Sequence, residues 1–191
     1  MTKAVRMKVL VFSGSLRKDS FNHKLATQAA KIAADAGADV DLMRLNDFDM
    51  PFFDADIFTA SGVPDGAQRL AEKVTGTDAM ILSSPEYNWG VPAALKNAID
   101  WLSRMDPIPL SQKSVLLCSA APSPVGGVRG LLHLRDSFET LSTFAYPRLF
   151  CLSRAQEAFT EDGRLKDEKL ADELSGIVAD YLRFATAITN R

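Results

Sequence analysis

The sequence predicts a doubly wound α/β fold: a five-stranded parallel sheet in a three-layer sandwich, with helices on both faces. Three observations predict it. Short, continuously apolar runs recur along the chain, as strands buried on both faces require. Each is followed by a stretch whose apolar residues fall at helical spacing. No repeat, linker or low-complexity tract breaks the alternation, so residues 1–191 are read as one domain.

Met7–Phe12 is the first strand. Phe21, Leu25, Ala29, Ile32 and Ala36 then mark an amphipathic helix, which Gly37 ends where a left-handed cap is expected. Asp39–Leu45 is the second strand, and a βαβ unit this tight is parallel and right-handed. Asn46–Pro64 reads as a long connection; its Met50-Pro51-Phe52-Phe53 is apolar enough to pack on the body or to cover something. Asp65–Gly76 is the second helix and Asp78–Ser84 the third strand. Pro92 suits the first turn of the next helix, whose stripe is Val91, Leu95, Ile99 and Leu102. Ser114–Ser119 is the fourth strand, and the Pro/Gly loop Ala120–Gly130 leads to a helix carrying Leu131, Leu134, Phe138 and Leu141. Ala145–Leu152 is the fifth strand, and Asp167–Ile188 the last helix.

Composition narrows the function. The 22 basic and 24 acidic residues leave a charge of −2 with no block of like charge, so neither nucleic acid nor membrane insertion is implied. Cys118 and Cys151 do not make a disulfide framework. The start of the chain, Met1 through Lys3 and Arg6 into a short strand, lacks the apolar length of a signal peptide, and the expected location is the cytoplasm.

In doubly wound sheets ligands sit outside the carboxyl ends of the strands, at the topological switch point. The strand order 2-1-3-4-5 places that point between the first and third strands, and the loops there are the two most polar of the chain. The first is Ser13–Asn22. A strand turning into a helix leaves N–H groups without intrahelical partners at the positive end of the helix dipole. Ser15, Ser20 and Asn22 add neutral donors, and Arg17 a cationic fork suited to phosphate. An ordinary turn with Ser20 as cap fits this stretch equally well. The third glycine of G-x-G-x-x-G and the Gly-Lys of a P-loop are both missing, which excludes a dinucleotide fingerprint and a Walker A motif.

The second loop, Glu86-Tyr87-Asn88-Trp89-Gly90-Val91-Pro92, offers two aromatics and an amide. Beside a phosphate site these suit a flat heteroaromatic ring, although single aromatics more often seal a sheet edge. Glu86 has no His in sequence reach and reads otherwise as a solvated carboxylate. His23, His133 and both cysteines read as packing or surface residues. No acid/base pair, nucleophile or metal cluster stands out, so chemistry falls to a bound cofactor and no side chain is assigned a catalytic role. A phosphoacceptor receiver domain needs carboxylates where Ser13-Gly14 and Ser83-Ser84 stand, and is excluded.

Gly14-Ser15-Leu16-Arg17-Lys18-Asp19-Ser20-Phe21-Asn22, and Pro85-Glu86-Tyr87-Asn88 with Ala94-Leu95-Lys96-Asn97-Ala98-Ile99-Asp100-Trp101, resemble the flavodoxin-like NAD(P)H-dependent FMN reductase family. This family includes bacterial quinone, chromate and azo-dye reductases. The likeness runs through Gly126-Gly127-Val128-Arg129-Gly130, from about Met7 to Leu152. It departs at Ala93, often Gly in the family, and at Ala120-Ala121-Pro122-Ser123-Pro124, which replaces a more glycine-rich turn.

The resemblance implies that Ser15, Arg17, Ser20 and Asn22, with Phe21 among them, hold the FMN phosphate. It implies that Pro85, Glu86, Tyr87, Asn88 and Trp89 border the ribityl chain and ring, and that Ser119 to Gly127, including Gly126, closes the other side. It further implies NADPH or NADH as co-substrate, ping-pong reduction of a quinone-like acceptor, and a homodimer or homotetramer. Met50–Phe53 and Arg129–Phe138 are the candidate subunit contacts. The alternative is an FMN-binding electron carrier served by a separate reductase; such carriers are usually markedly acidic.

Overall fold

The computed structural model describes residues 6–189; the reading made from Met1 and Lys3 lies outside the described residues. Strands β1 (Lys8–Ser13), β2 (Asp39–Arg44), β3 (Ala79–Ser83) and β4 (Ser114–Ala120) form a parallel sheet ordered β2-β1-β3-β4. The expected order holds, and the edge beyond β4 departs from expectation. Instead of one strand over Ala145–Leu152, two short strands pair with β4: β5 (Phe144–Ala145) and β6 (Phe150–Leu152). Pro147 has no N–H to donate, and the four residues 146–149 face only Leu116 and Leu117 on β4, so the segment leaves the ladder. The Arg135 guanidinium donates to the freed carbonyls of Tyr146 and Pro147 at 2.7 and 3.1 Å.

Helices α1 (Phe21–Asp35) and α7 (Glu168–Thr189) cover one face, over Val9, Val11, Ile81, Leu116 and Cys118. Helices α3 (Asp65–Thr75), α4 (Ala93–Leu102) and α5 (Val128–Thr140) cover the other, over Leu10, Phe12, Met80, Leu82 and Leu117. The cap predicted at Gly37 is a Schellman motif: Gly37, at φ +95°, donates to Ala34 O and Ala38 donates to Ala33 O.

The long connection Asn46–Pro64 is more structured than expected. Leu45–Asp47 makes a 3-10 turn, and α2 (Ala55–Ser61) starts where Asp54 accepts the Asp56 N–H at 2.8 Å and stops at Gly62. The helix after β4 starts at Val128, three residues before its first predicted apolar position. A four-residue helix, α6 (Ala155–Ala158), precedes α7.

Candidate functional site

The loop after β1 is folded on itself by its own serines. Ser13 Oγ accepts the Ser15 N–H at 3.2 Å, and Ser15 Oγ accepts the Arg17 N–H at 3.3 Å. Gly14 lies against α4, where a Cβ would meet Leu95 Cδ2 at 2.8 Å. Ser20 is the N-cap of α1, with an extended backbone and its hydroxyl oxygen accepting from the His23 N–H at 3.3 Å. The cap expected at Ser20 is therefore in place. Ser20 caps the helix, and the N–H groups of Phe21 and Asn22 in the first turn lack intrahelical acceptors by position. The Ser15 and Ser20 hydroxyl oxygens accept from the backbone, and both buried residues line one small hollow. The Arg17 guanidinium is exposed, 5.9 Å from the centre of the Phe21 ring.

Asn22 does something sequence could not show. It is buried, and its amide donates to Ala120 O at 2.8 Å while its carbonyl accepts from Ala120 N at 2.9 Å and Ser83 Oγ at 2.9 Å. The side chain thus ties the first turn of α1 to the ends of β3 and β4. What Asn22 presents outward is its backbone N–H.

Ser15, Arg17, Ser20, Phe21 and Asn22 meet Pro85, Glu86 and Tyr87 around one small hollow of about 80 Å³, closed by Ala120, Ala121 and Pro122. Eight of the residues singled out from sequence come together there; the three closing residues lie in the turn where the chain departs from the family pattern. Asn88 and Trp89 stand at a hairpin tip. Tyr87 and Gly90 exchange both backbone bonds, at 3.1 and 2.9 Å, and the two residues between have φ of +51° and +65°. Positive φ at both centres is the pattern of a type I′ turn, natural for Asn and strained for Trp. The Trp89 ring is exposed, with the Arg129 guanidinium 4.1 Å from its centre.

Ser119, Gly126 and Gly127 lie behind the hollow. A Cβ at Gly127, where φ is +85°, would sit on Ser119 Oγ, and one at Gly126 would meet the Cys151 carbonyl carbon at 2.7 Å. Ser119 is buried and its hydroxyl has no hydrogen-bond partner. The Glu86 carboxylate is no solvated group: Oε2 accepts the Gly130 N–H at 2.9 Å, at the first turn of α5.

The two thiols nearby are held protonated by burial. Burial pushes the Cys118 thiol up to about 12 and Cys151 up to about 11. Burial, with the Arg44 charge adding to it and Asp47 opposing, lowers His23. Among the described residues no group of three His, Cys, Asp or Glu could hold a metal ion, and no helix is long and apolar enough to cross a membrane.

A model of the NADPH-dependent FMN reductase family matches residues 7–157. The chain belongs to that family. It is thus an oxidoreductase of a flavin- and nicotinamide-dependent kind. It is 34% identical over 182 residues to a quinone reductase of Escherichia coli (strain K12), covering 94% of this chain and 95% of the relative. It is 35% identical over 165 residues to the NAD(P)H-dependent FMN reductase PA1204 of Pseudomonas aeruginosa, covering 85% and 86%. Among solved structures it superposes on FerB, a flavoenzyme NAD(P)H:(acceptor) oxidoreductase of Paracoccus denitrificans, with TM-score 0.79, 28% identity and coverage of 95% and 98%. A flavodoxin from Pseudomonas aeruginosa, at 15% identity and TM-score 0.56, shares the fold.

Proposed function

We propose that this protein oxidises NAD(P)H and reduces quinone-like acceptors on FMN whose phosphate is held at the hollow between the first and third strands. One observation carries the reading: the α1 N-terminus, Ser15, Ser20 and Arg17 converge on one small hollow whose other wall is Pro85–Tyr87. The two serine hydroxyls lining the hollow, the first-turn N–H groups and one guanidinium form a donor set suited to a phosphate dianion. Phe21 backs that set, and Asn22 fixes its helix against β3 and β4.

Bound FMN supplies hydride transfer. The chain's part is position and exclusion: Tyr87 offers an exposed aromatic side chain at the hollow, Trp89 stands under Arg129 at the hairpin tip, and Glu86 holds the loop that carries both. With FMN bound, the nicotinamide and then the acceptor would occupy the same open side of the site beside Tyr87, which would give ping-pong kinetics. Such an open face also admits chromate and azo compounds. The protein works in the cytoplasm as a homodimer or homotetramer, with the α5 surface around Leu132, 47% exposed, as subunit contact.

Purified protein mixed with NAD(P)H and a quinone, with no partner added, tests the reading. Turnover with parallel initial-rate lines is expected. Bound FMN without turnover would identify an electron carrier instead, and absence of FMN from the purified protein would remove both.

A further inference from the structure

Arg17 and Tyr87 line a second, much larger space: a cleft of about 820 Å³ on the α4 side of the same loops. Leu16, Met50, Phe52, Pro92, Ala93 and Ala94 give it a largely apolar lining. Its size and its mostly apolar lining are those of a small-molecule pocket.

The cleft is built rather than incidental. Asn97 accepts the Phe53 N–H at 2.7 Å and donates to Pro51 O at 2.9 Å, and the Trp101 indole donates to the same carbonyl at 2.8 Å. The Phe53 ring meets Trp101 edge-on at 5.1 Å, so Phe53 is anchored while its neighbour Phe52 stands 76% exposed at the cleft. On the opposite wall Asn46 donates to Leu16 O at 3.0 Å, which fixes the Leu16 backbone. Side-chain amides thus pin both walls, and the apolar space between them exists before anything binds.

Tyr87 borders both this cleft and the small hollow. A flat acceptor lying against Tyr87 has the cleft as its apolar neighbour, and a substituent of many methylenes is the group that gains most from such a lining. We infer that the cleft between Leu16, Phe52 and Ala93 takes the alkyl or prenyl tail of a substituted quinone while the quinone ring lies against Tyr87. The inference rests on the quinone-reductase reading and adds a preference for tailed quinones.

Calorimetry on the oxidised holoprotein without NAD(P)H compares a decyl-substituted dimethoxy-methyl-benzoquinone with its tail-less parent. The tailed compound should bind about tenfold or more tightly. Ala93→Phe, at the solvent-exposed first position of α4, fills the cleft and should bring the two within about twofold, and Phe52→Asp should do the same by charging the wall. In steady state either variant should raise KM for the tailed quinone about tenfold and leave the tail-less quinone's kcat and KM within about twofold. Equal affinity of both quinones for the wild type, or a tail advantage that survives both substitutions, overturns the inference. So does a change in sedimentation on Phe52→Asp with the tail advantage intact, which would give the cleft to a second copy of the chain. If the wild type reduces the tail-less quinone, the function stands whatever the tail does. If it reduces neither, the function falls, and calorimetry still decides whether the cleft binds the tail.

Discussion

Glu86 Oε2 accepts the Gly130 N–H at 2.9 Å, joining the loop after β3 to the first turn of α5. The contact is close along its whole length: a Cβ on Gly130 would lie 3.1 Å from Glu86 Cβ and 3.1 Å from Gly90 O. As the third residue of its helix Gly130 has no intrahelical acceptor, and a carboxylate there also meets the positive end of the dipole. Glu86→Ala should cost about 1.5–3 kcal/mol in denaturant unfolding, the range for a hydrogen bond to a charged group. Glu86→Gln keeps an acceptor and should recover more than half of that loss.

Gly127 should tolerate no side chain. Its φ of +85° disfavours L-residues, and a Cβ would collide with Ser119. Gly127→Ala should destabilise by about 2–4 kcal/mol, combining left-handed strain with overpacking. In the double variant Gly127→Ala/Ser119→Ala the collision eases and the backbone strain stays. Thermal unfolding of both should therefore show partial rescue.

Tyr181 places its hydroxyl inside the sheet layer, accepting from Met80 N at 3.0 Å, donating to Met80 O at 2.7 Å and lying 3.1 Å from Ser114 Oγ. Tyr181→Phe leaves buried groups without partners and should cost about 1–3 kcal/mol in urea unfolding. The phenol, raised mainly by burial, should give no ultraviolet phenolate signal below the pH of alkaline unfolding.

Alkaline stability follows from the thiols. Cys118 stands near 12 and Cys151 near 11, against an ordinary 9.0, so the folded chain holds these protons when the unfolded chain has lost them. Fewer protons on the unfolded state make stability fall as pH rises above about 9. The unfolding midpoint should drop between pH 9 and 11, and Cys118→Ala should flatten that slope. An unchanged slope in the variant would assign the alkaline loss to other groups.

Local signals in the sequence were readable and distant ones were not. The Ser20 cap and the Gly37 stop each act within a few residues, and both stand where the pattern puts them. Asp54 before α2 and Gly62 after it were equally local signals, hidden by the aromatic run that made the stretch look like a loop. Pro147 inside an apolar run could have marked the break between β5 and β6. The roles of Asn22 and Glu86 depend on partners 98 and 44 positions away, which no periodicity encodes. The hollow itself was legible because the fold brings the ends of β1 and β3 together whatever their side chains do.

The proposed function depends on Ser15–Asn22 holding the phosphate of FMN. Flavin-fluorescence titration of flavin-stripped protein, with FMN and with riboflavin, tests it most directly. FMN should bind at least about 100-fold more tightly than riboflavin, and Arg17→Ala should weaken FMN about 10- to 100-fold while leaving riboflavin unchanged. Equal affinities for the two flavins, or an Arg17→Ala variant that holds FMN as tightly as the wild type, would contradict the account.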